Sequence, residues 1–152
     1  MFRGVNTLSL DAKGRMAMPT RYREQLQESC EGHLIITIDT DERCLLIYPL
    51  HDWELIETQL IAMANMNPLA RRVQRLLMGH ATDTDMDGNG RVLLPPPLRT
   101  FAALDKRAVL IGQGKKLELW DEDHWNARRE TWLSETNLAG EVLPPELAAL
   151  SL

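Results

Sequence analysis

LDAKGRMAMP at residues 10–19 returns as MDGNGRVLLP at residues 86–95, at an offset of 76 residues. Both segments place an aspartate, a glycine, an arginine and a proline at the same spacing, and a second arginine follows each proline four residues later. The positions between the first arginine and the proline are apolar in both copies. Agreement at so many fixed spacings indicates an internal repeat, which has to be recognised before secondary structure is assigned.

The repeat extends further along the chain. LIY at residues 46–48, followed by HDW at 51–53, matches ELW at 118–120, followed by DHW at 123–125, now at an offset of 72 residues. The second copy is therefore four residues shorter in a connecting loop.

Each copy begins with a strand, a tight turn and a second strand, because short segments on both sides of the turn alternate in the manner of half-buried strands. Asp11 suits the start of a turn, where its carboxylate can accept hydrogen bonds from nearby amides, and Gly14 suits a position with positive φ. Asp87 and Gly90 repeat this pattern.

Proline at the end of each second strand stops the strand and can begin a helix. The predicted helices cover residues 20–27 and 97–103, and two more helices are predicted between residues 52 and 79. The predicted second strand pairs are 34–38 with 45–48 and 109–112 with 117–120.

One copy holds roughly 50 residues, too few for a proper core, so the copies must pack together. We predict an α+β fold, mostly β with short helices, in which hairpins from both halves interleave in one pseudo-twofold barrel that hides the strand edges. The predicted organisation is a first module at 5–52, a helical linker at 53–80, a second module at 81–124 and an acidic helical C-terminal segment at 125–152.

The composition is that of a globular domain, with 152 residues, 44% hydrophobic and 26% charged. No apolar run approaches the roughly 18 residues of a membrane helix, and the N-terminus lacks the apolar stretch of a signal peptide. We expect a cytoplasmic protein without a membrane partner. Cys30 and Cys44 form no CxxC pair, and we expect both to be reduced structural thiols.

Charge is unevenly distributed. The net charge of -5 argues, taken alone, against a polyanionic partner. Residues 1–26, however, contain five basic and two acidic residues, and residues 68–80 contain three arginines and no acid, whereas residues 117–152 contain eight acids and two arginines. An acidic protein can therefore present a cationic face, although such arginines also serve as ordinary surface residues.

The pattern D-x-x-G-R-x-x-x-P-x-x-x-R resembles the swapped-hairpin DNA-binding fold of the SpoVT-AbrB type. Two such modules, followed by Tyr48-Pro49 and Trp120-Asp121, are similar to the MraZ family of bacterial transcriptional regulators, and the resemblance covers nearly the whole chain. It implies a sequence-specific DNA-binding protein associated with the nucleoid. It further implies repression of its own division and cell-wall gene cluster at short direct repeats, by a ring of several subunits.

Arg15 and Arg91 directly follow the turn glycines, where a hairpin tip can enter a DNA groove with the guanidinium group projecting outward. A two-stranded ribbon is one of the shapes that the major groove admits, and a guanidinium can bond guanine or hold phosphate. Phosphate repels aspartate, so Asp11 and Asp87 are predicted to hold the turns and aim the arginines.

Lys13, Arg3 and Arg21 are predicted to add phosphate contacts around the first turn. Arg23 and Arg99 could do the same, or could pair with a carboxylate or cap a helix. The sequence leaves both roles open.

The two copies are not equivalent. Asn89 stands where the first copy has Lys13, and two further aspartates precede Asp87, so the second turn is less cationic. We expect the first copy to dominate DNA affinity. A ring that presents one site per subunit to successive repeats would raise the effective concentration of each later contact.

Other chemistry has little support. DTDMDG at residues 83–88 matches the start of a calcium-binding loop, but the twelfth position is Leu94 instead of glutamate. The four histidines lie far apart, and no known catalytic serine, phosphate-loop or dinucleotide motif occurs. We predict no catalytic residue, metal or cofactor, and no enzyme.

The competing hypothesis is a ring-forming protein-interaction scaffold without direct DNA binding. Leu143, Leu147 and Leu150 lie along a possible short amphipathic helix that could dock a partner or pack against its own chain.

Overall fold

The computed structural model describes residues 1–64, 66–135 and 144–151. The chain divides into two compact units, Met1–Glu122 and Asp123–Leu152. The elements in chain order are β1 (Phe2–Ser9), β2 (Arg15–Ala17), α1 (Thr20–Cys30), β3 (His33–Ile38), β4 (Leu45–Pro49), α2 (Leu50–Ala62), α3 (Pro68–His80), β5 (Thr82–Asp85), β6 (Arg91–Leu93), α4 (Pro96–Phe101), β7 (Arg107–Gly114), β8 (Lys116–Asp121), α5 (Glu122–Ser134) and α6 (Pro145–Ala148).

Strands from the two copies are interleaved in the first unit. The larger sheet has the order β1-β7-β8-β4-β3-β5, and β2 pairs with β6 in a separate two-stranded ribbon. β1 of the first copy thus pairs with β7 of the second, and β5 of the second copy pairs with β3 of the first. The predicted interleaving of the two halves is confirmed.

The copies share one hydrophobic core. Met16 and Met18 of the first copy and Val92 and Leu94 of the second are fully buried. They belong to one cluster with the inward-facing residues of the central strands, which include Leu34, Ile36, Leu45, Ile47, Leu110, Leu117 and Leu119. Neither copy could bury this surface alone, and this is the physical reason for the interleaving.

The two sheets do not close into the predicted barrel. An isolated bridge between Leu10 and Met16 joins the chain on the two sides of the first turn, while β1 and β5 are the edges of the larger sheet. The first turn reverses the chain without a regular hairpin, because the strands on either side of it pair with the other copy. The mixed α+β class is confirmed. Helices contribute more residues than strands, since α2, α3 and α5 each have 13 residues.

Helices α2 and α3 connect β4 to β5 and pack on the opposite face of the larger sheet. The second hydrophobic cluster there contains Ile35, Leu46, Tyr48, Trp53 and Leu60. Thr37 is buried in the same region, and its hydroxyl donates to Leu77 O at 2.7 Å. Asn67 begins α3, since its side chain accepts hydrogen bonds from two backbone N–H groups of the first turn.

The helices that follow the two repeat prolines differ in length. α1 continues to Cys30, beyond its predicted end, and stops where Glu31 and Gly32 take positive φ angles of 55° and 75°. α4 stops at Phe101, earlier than predicted. The second copy therefore has the shorter helix beside the ribbon.

In the second unit, Trp125 packs edge to face against Trp132 with ring centres 5.8 Å apart, and the Arg128 guanidinium lies 5.1 Å from the Trp132 ring centre. Leu147 and Leu150 are exposed. Leu143 lies outside the described residues, and partner docking by this segment stays a prediction. In the described ranges, no helix is long and apolar enough to cross a membrane.

Candidate nucleic-acid interface

The side chain of Asp11 organises the turn after β1. Its Oδ1 atom accepts hydrogen bonds from the backbone N–H groups of Lys13 and Arg15, both at 2.9 Å. The backbone closes the same turn, since Asp11 N–H donates to Arg15 O and Gly14 N–H donates to Asp11 O, both at 3.0 Å. Gly14 has a φ of 80°, which glycine adopts without strain.

The second turn repeats this geometry. Asp87 Oδ1 accepts the N–H groups of Asn89 and Arg91 at 2.9 Å, and the two backbone hydrogen bonds recur at 2.9 Å. Gly90 has a φ of 75°. These contacts support the scaffold role predicted for both aspartates and both glycines.

Both arginines are also held through their side chains. Arg15 Nε donates to Asp11 Oδ2 at 2.7 Å, and Arg91 Nε donates to Asp87 Oδ2 at 3.0 Å. The guanidinium groups therefore lie against their aspartates instead of projecting freely, although their side chains are 27% and 38% exposed. Their Nη groups make no hydrogen bond or ion pair with any described residue, and these edges can meet a ligand.

The same contacts lower the pKa of both turn carboxyl groups below the ordinary value. For Asp11 the largest cause is the backbone N–H of Arg15, followed by the Arg15 side chain. For Asp87 the largest cause is the backbone N–H of Arg91. Both carboxylates are charged at neutral pH and hold their arginines in that state.

The β2–β6 ribbon places the two arginines on one face. In its antiparallel register Arg15 is opposite Leu93, and Ala17 is opposite Arg91. The residue pair between them is fully buried, so the alternation along a strand puts all four of these residues on the outer face. Arg15 and Arg91 are diagonal neighbours, and the Cα atoms of such residues are about 7–8 Å apart. Both arginines therefore lie on one face of the ribbon, and each is bonded to the aspartate of its own turn.

Arg23 and Arg99, whose roles the sequence left open, brace the turn of the opposite copy. Each donates its Nε–H to a backbone carbonyl five residues earlier, at 2.6 Å for Arg23 and 3.1 Å for Arg99. The guanidinium of Arg99 lies over Gly14, and that of Arg23 lies over Gly90. Neither arginine pairs with a carboxylate in the part of the chain that the structure describes.

The other predicted phosphate contacts are distributed unequally. Lys13 is exposed at the first turn. Arg21 bonds its own copy, because its Nη2 donates to Asn6 Oδ1 at 2.9 Å and its guanidinium lies 4.7 Å from the Tyr22 ring centre. Arg3 lies on the edge strand β1, six residues before Ser9, where the strand ends. Six residues of extended chain separate Arg3 from that end by about 20 Å. The structure brings Lys13 to the ribbon but not Arg3.

Lys106 and Arg107, which the sequence analysis missed, lie beside the first turn. Leu10 N–H donates to Lys106 O at 2.8 Å, and Arg107 is opposite Ser9 in the sheet. The offset between the two copies changes somewhere between the second turn and β7. A comparison of the copies at one fixed offset therefore does not align Lys106 and Arg107 with their equivalents in the first copy. The charged residues that line the adjoining groove of about 650 Å³ are Asp11, Arg99, Asp105, Lys106 and Arg107.

The second turn has different surroundings. Its groove has a volume of about 240 Å³, and the charged residues that line it are Arg23, Glu24 and Asp87. His33 occupies the position at the second turn that Arg107 occupies at the first turn. Its ring nitrogens lie 3.3 Å from Asp83 and 3.1 Å from Asp85. The two ends of the ribbon therefore differ in charge.

Asp39, Cys44 and Glu118 place possible metal-ligand atoms within 4.8 Å of one another. Burial raises the pKa of the Cys44 thiol and of the Glu118 carboxyl, and it raises the pKa of Tyr48 to about 12.

A family profile described as "MraZ protein, putative antitoxin-like" matches the chain at residues 1–76 and again at residues 77–140. The chain is 56% identical over 152 residues, all of both chains, to the transcriptional regulator MraZ of Halorhodospira halophila. It is 59% identical over 141 residues, 93% of each chain, to that of Thioalkalivibrio sulfidiphilus, and 52% identical over the full length of both to that of Coxiella burnetii.

Proposed function

Because the chain belongs to the MraZ family, we propose that it regulates transcription by binding specific sites in double-stranded DNA through the outer face of the β2–β6 ribbon. Its relatives carry the name transcriptional regulator. The observation that carries the proposal is the common face of Arg15 and Arg91, which the antiparallel register of the ribbon creates.

A two-stranded ribbon fits the major groove, which is about 12 Å wide. The Nη groups of Arg15 and Arg91 can donate the paired hydrogen bonds that guanine O6 and N7 accept. Because the two arginines are diagonal neighbours, they reach different base pairs. The ribbon thus reads bases without a recognition helix.

Asp11 and Asp87 act as positioning residues in this proposal. An arginine side chain that is ordered before binding loses less rotamer entropy on contact with DNA. Each carboxylate is already bonded to the arginine that it positions, at 2.7 Å and 3.0 Å, and this limits its repulsion of phosphate.

Phosphate contacts are unequal at the two turns. Lys13 adds a cation at the first turn where Asn89 adds none at the second, so the first copy contributes more of the affinity. Arg3 and Arg21 are proposed as further phosphate contacts outside the ribbon.

We propose that the protein assembles into a ring and represses its own division and cell-wall gene cluster in the nucleoid by binding short direct repeats. One ribbon makes few contacts, and several ribbons on successive repeats would multiply the affinity. Exposed apolar side chains on α2, on α3 and between them support self-association. They are Leu55, Ile61, Met63, Met66 and Leu69, which are between 41% and 94% exposed.

The test starts with a selection of bound fragments from a random duplex pool at a stated salt concentration, which identifies the element and its spacing. Fluorescence anisotropy then compares wild type, Arg15→Ala and Lys115→Ala, the last removing an exposed cation beyond the other end of β7. We expect Arg15→Ala to stay folded and oligomeric and to lose about tenfold or more in affinity, because one bidentate base contact contributes about 1–3 kcal/mol. Lys115→Ala should bind like wild type.

Two results would contradict the proposal. A wild type that retains no duplex even at low salt would favour the protein-interaction scaffold. An Arg15→Ala variant with unchanged affinity and selectivity would show that the ribbon face does not contact bases.

A further inference from the structure

The backbone defines equivalent positions at the two turns. Leu10 N–H donates to Lys106 O at 2.8 Å, and Met86 N–H donates to Gly32 O at 2.9 Å. Leu10 and Met86 are repeat equivalents, so Lys106 of the second copy and Gly32 of the first occupy matching places. The offset between these two residues is 74, which a comparison at 76 or 72 does not reveal.

The neighbouring residues extend this equivalence. Arg107 is opposite Ser9 in the β1–β7 pairing, and His33 is opposite Asp85 in the β3–β5 pairing. In each equivalent pair, the residue at the first turn is given before the residue at the second turn. The pairs are Lys13 and Asn89, Ser9 and Asp85, Lys106 and Gly32, and Arg107 and His33. Every pair shifts charge in the same direction, and together they make the first end of the ribbon the more positive.

The residues that line the two grooves add to this difference. The groove beside the first turn has about 650 Å³ with three cationic and two acidic lining residues. The second groove has about 240 Å³ with one cationic and two acidic lining residues. One of those acids is Glu24 of α1, whose equivalent in α4 is the uncharged Thr100.

The cations of the first groove differ in how strongly the protein engages them. Lys106 is exposed and makes no ion pair within residues 1–64, 66–135 and 144–151. Arg107 lies 3.4 Å from Glu122 and bonds Ser9 Oγ at 3.3 Å, while Arg99 donates its Nε–H to a backbone carbonyl. Lys106 therefore offers the least compensated charge in the groove.

We propose that the groove beside the first turn binds a backbone phosphate of duplex DNA through Lys106, Arg107 and Arg99, and that the second turn has no such site. This inference rests on the proposed function. Asp11, which holds Arg15, lines the groove, so a phosphate there lies next to an arginine that contacts bases. Such contacts fix register and orientation on the duplex without reading its sequence.

A consequence is that the ribbon binds DNA in one orientation. Rotation about the pseudo-twofold axis would exchange the two ends and place Gly32 and His33, with Asp85 opposite His33, where Lys106 and Arg107 had met phosphate. A ribbon with two matching ends would accept both orientations equally, whereas this one pairs its cationic end with one flank of the element.

The first experiment measures affinity against salt concentration for wild type, Lys106→Gln, the Lys106→Gln/Arg107→Gln double variant and Lys115→Gln. Lys115 is a matched control, because it directly follows the other end of β7, and that end is about 23 Å from Arg107 along the strand. We expect the salt slope to fall by about 0.9 for each DNA phosphate that the variant no longer neutralises, with equal reductions in affinity for the element and for a scrambled duplex. Lys115→Gln should keep the wild-type slope.

The outcomes separate the two proposals. A wild type that binds no duplex removes the proposed function. A wild type that binds, with groove variants that keep its affinity and slope, overturns the phosphate site alone. A groove that held a free phosphorylated compound instead of DNA would give that second result.

The second experiment tests orientation. Ala12→Cys and Gly88→Cys place a thiol at equivalent positions of the two turns, and a Cβ at Gly88 meets nothing within 4 Å. Cys30 and Cys44 are buried, so an iron chelate that cleaves nearby DNA attaches to the new thiol. On a duplex with one element, we expect the two variants to cut opposite flanks. Cleavage of both flanks by each variant would overturn the single orientation.

Discussion

The guanidinium group of Arg99 lies directly against Gly14, so that a Cβ atom on this glycine would stand 2.4 Å from Arg99 Cζ. Arg23 approaches Gly90 in the same way, with its Nε 2.3 Å from the corresponding Cβ position. Because the partners in each contact come from different copies, each turn depends on an arginine of the other half. The two halves therefore position each other's candidate DNA contacts.

Replacing Gly14 with alanine should destabilise the fold. The Cβ would displace Arg99, and the φ of 80° disfavours any L side chain. We expect the free energy of unfolding to fall by about 1–3 kcal/mol, measured by urea denaturation. Gly88→Ala is the control, since its Cβ meets nothing within 4 Å. Equal stability of the two variants would argue against a stabilising contact between Arg99 and the turn at Gly14.

The Arg23→Lys variant distinguishes two roles of Arg23, which are bracing the turn at Gly90 and contacting a DNA phosphate. Lysine keeps the charge but lacks the planar guanidinium that bonds Met18 O at 2.6 Å and covers Gly90. We expect the free energy of unfolding to fall by about 1–2 kcal/mol, whereas Arg72→Lys on the exposed part of α3 should change little. Unchanged stability of Arg23→Lys would mean that the charge alone matters at this position.

Arg91→Ala should reduce DNA affinity less than Arg15→Ala. The first turn has Lys13 and the cationic groove beside it, so the proposed interface predicts that Arg15 lies where the duplex is held most closely. Anisotropy titrations of both variants at one salt concentration give the comparison. Equal reductions in affinity would show that the two copies contribute alike and would contradict the expected dominance of the first.

Acid should weaken the fold through the two turn aspartates. Their pKa values in the folded protein lie below the ordinary value of 3.8, chiefly because of the backbone N–H groups of Arg15 and Arg91. Their stabilising contribution is therefore complete above about pH 4 and is lost as the pH falls through the folded-state pKa. Urea unfolding of wild type and of Asp11→Asn/Asp87→Asn at several pH values tests this. The double variant should depend less on pH below 4, and an unchanged dependence would refute the assignment.

Glu118 should act in the opposite sense. Burial raises its pKa in the folded protein above the ordinary value of 4.5, so its contribution to stability is complete below about pH 4.5 and is lost as the pH rises through the raised pKa. Glu118→Gln stays neutral and can still accept the Trp120 Nε1 hydrogen bond of 3.1 Å. We expect this variant to melt at a higher temperature than wild type at pH 7 and at a similar temperature at pH 4. A lower melting temperature at pH 7 would indicate that the charged carboxylate has a cationic partner.

Local chemistry made the turns predictable. An aspartate followed three residues later by a glycine specifies its own hydrogen bonds and its own positive φ, and these contacts lie within five consecutive residues. The pairing of strands between the two copies was predictable from chain length, because one copy alone has too few residues to form a hydrophobic core. The closed barrel was wrong because β1 and β5 stay at the edges of the larger sheet.

Long-range register was not predictable from the pattern. The diagonal placement of Arg15 and Arg91 depends on which residue of β2 faces which residue of β6. A shift of one residue in either strand would turn that strand's arginine to the buried face. Contacts between residues more than 60 positions apart in sequence decide two further features. They place Arg23 and Arg99 against the turn glycines of the opposite copy, and they place Lys106 beside the first turn.

The amino-acid sequence by itself determined the repeat, the two turns and the arginines that follow them, because short-range hydrogen bonding and backbone sterics act between neighbouring residues. Only the tertiary structure decided that these arginines share one face, that each turn is braced by the opposite copy, and that Lys106 and Arg107 lie beside the turn that already has the greater positive charge in the sequence. The physical reason is that these properties arise from distances between side chains remote in sequence, which the packing of the shared core establishes.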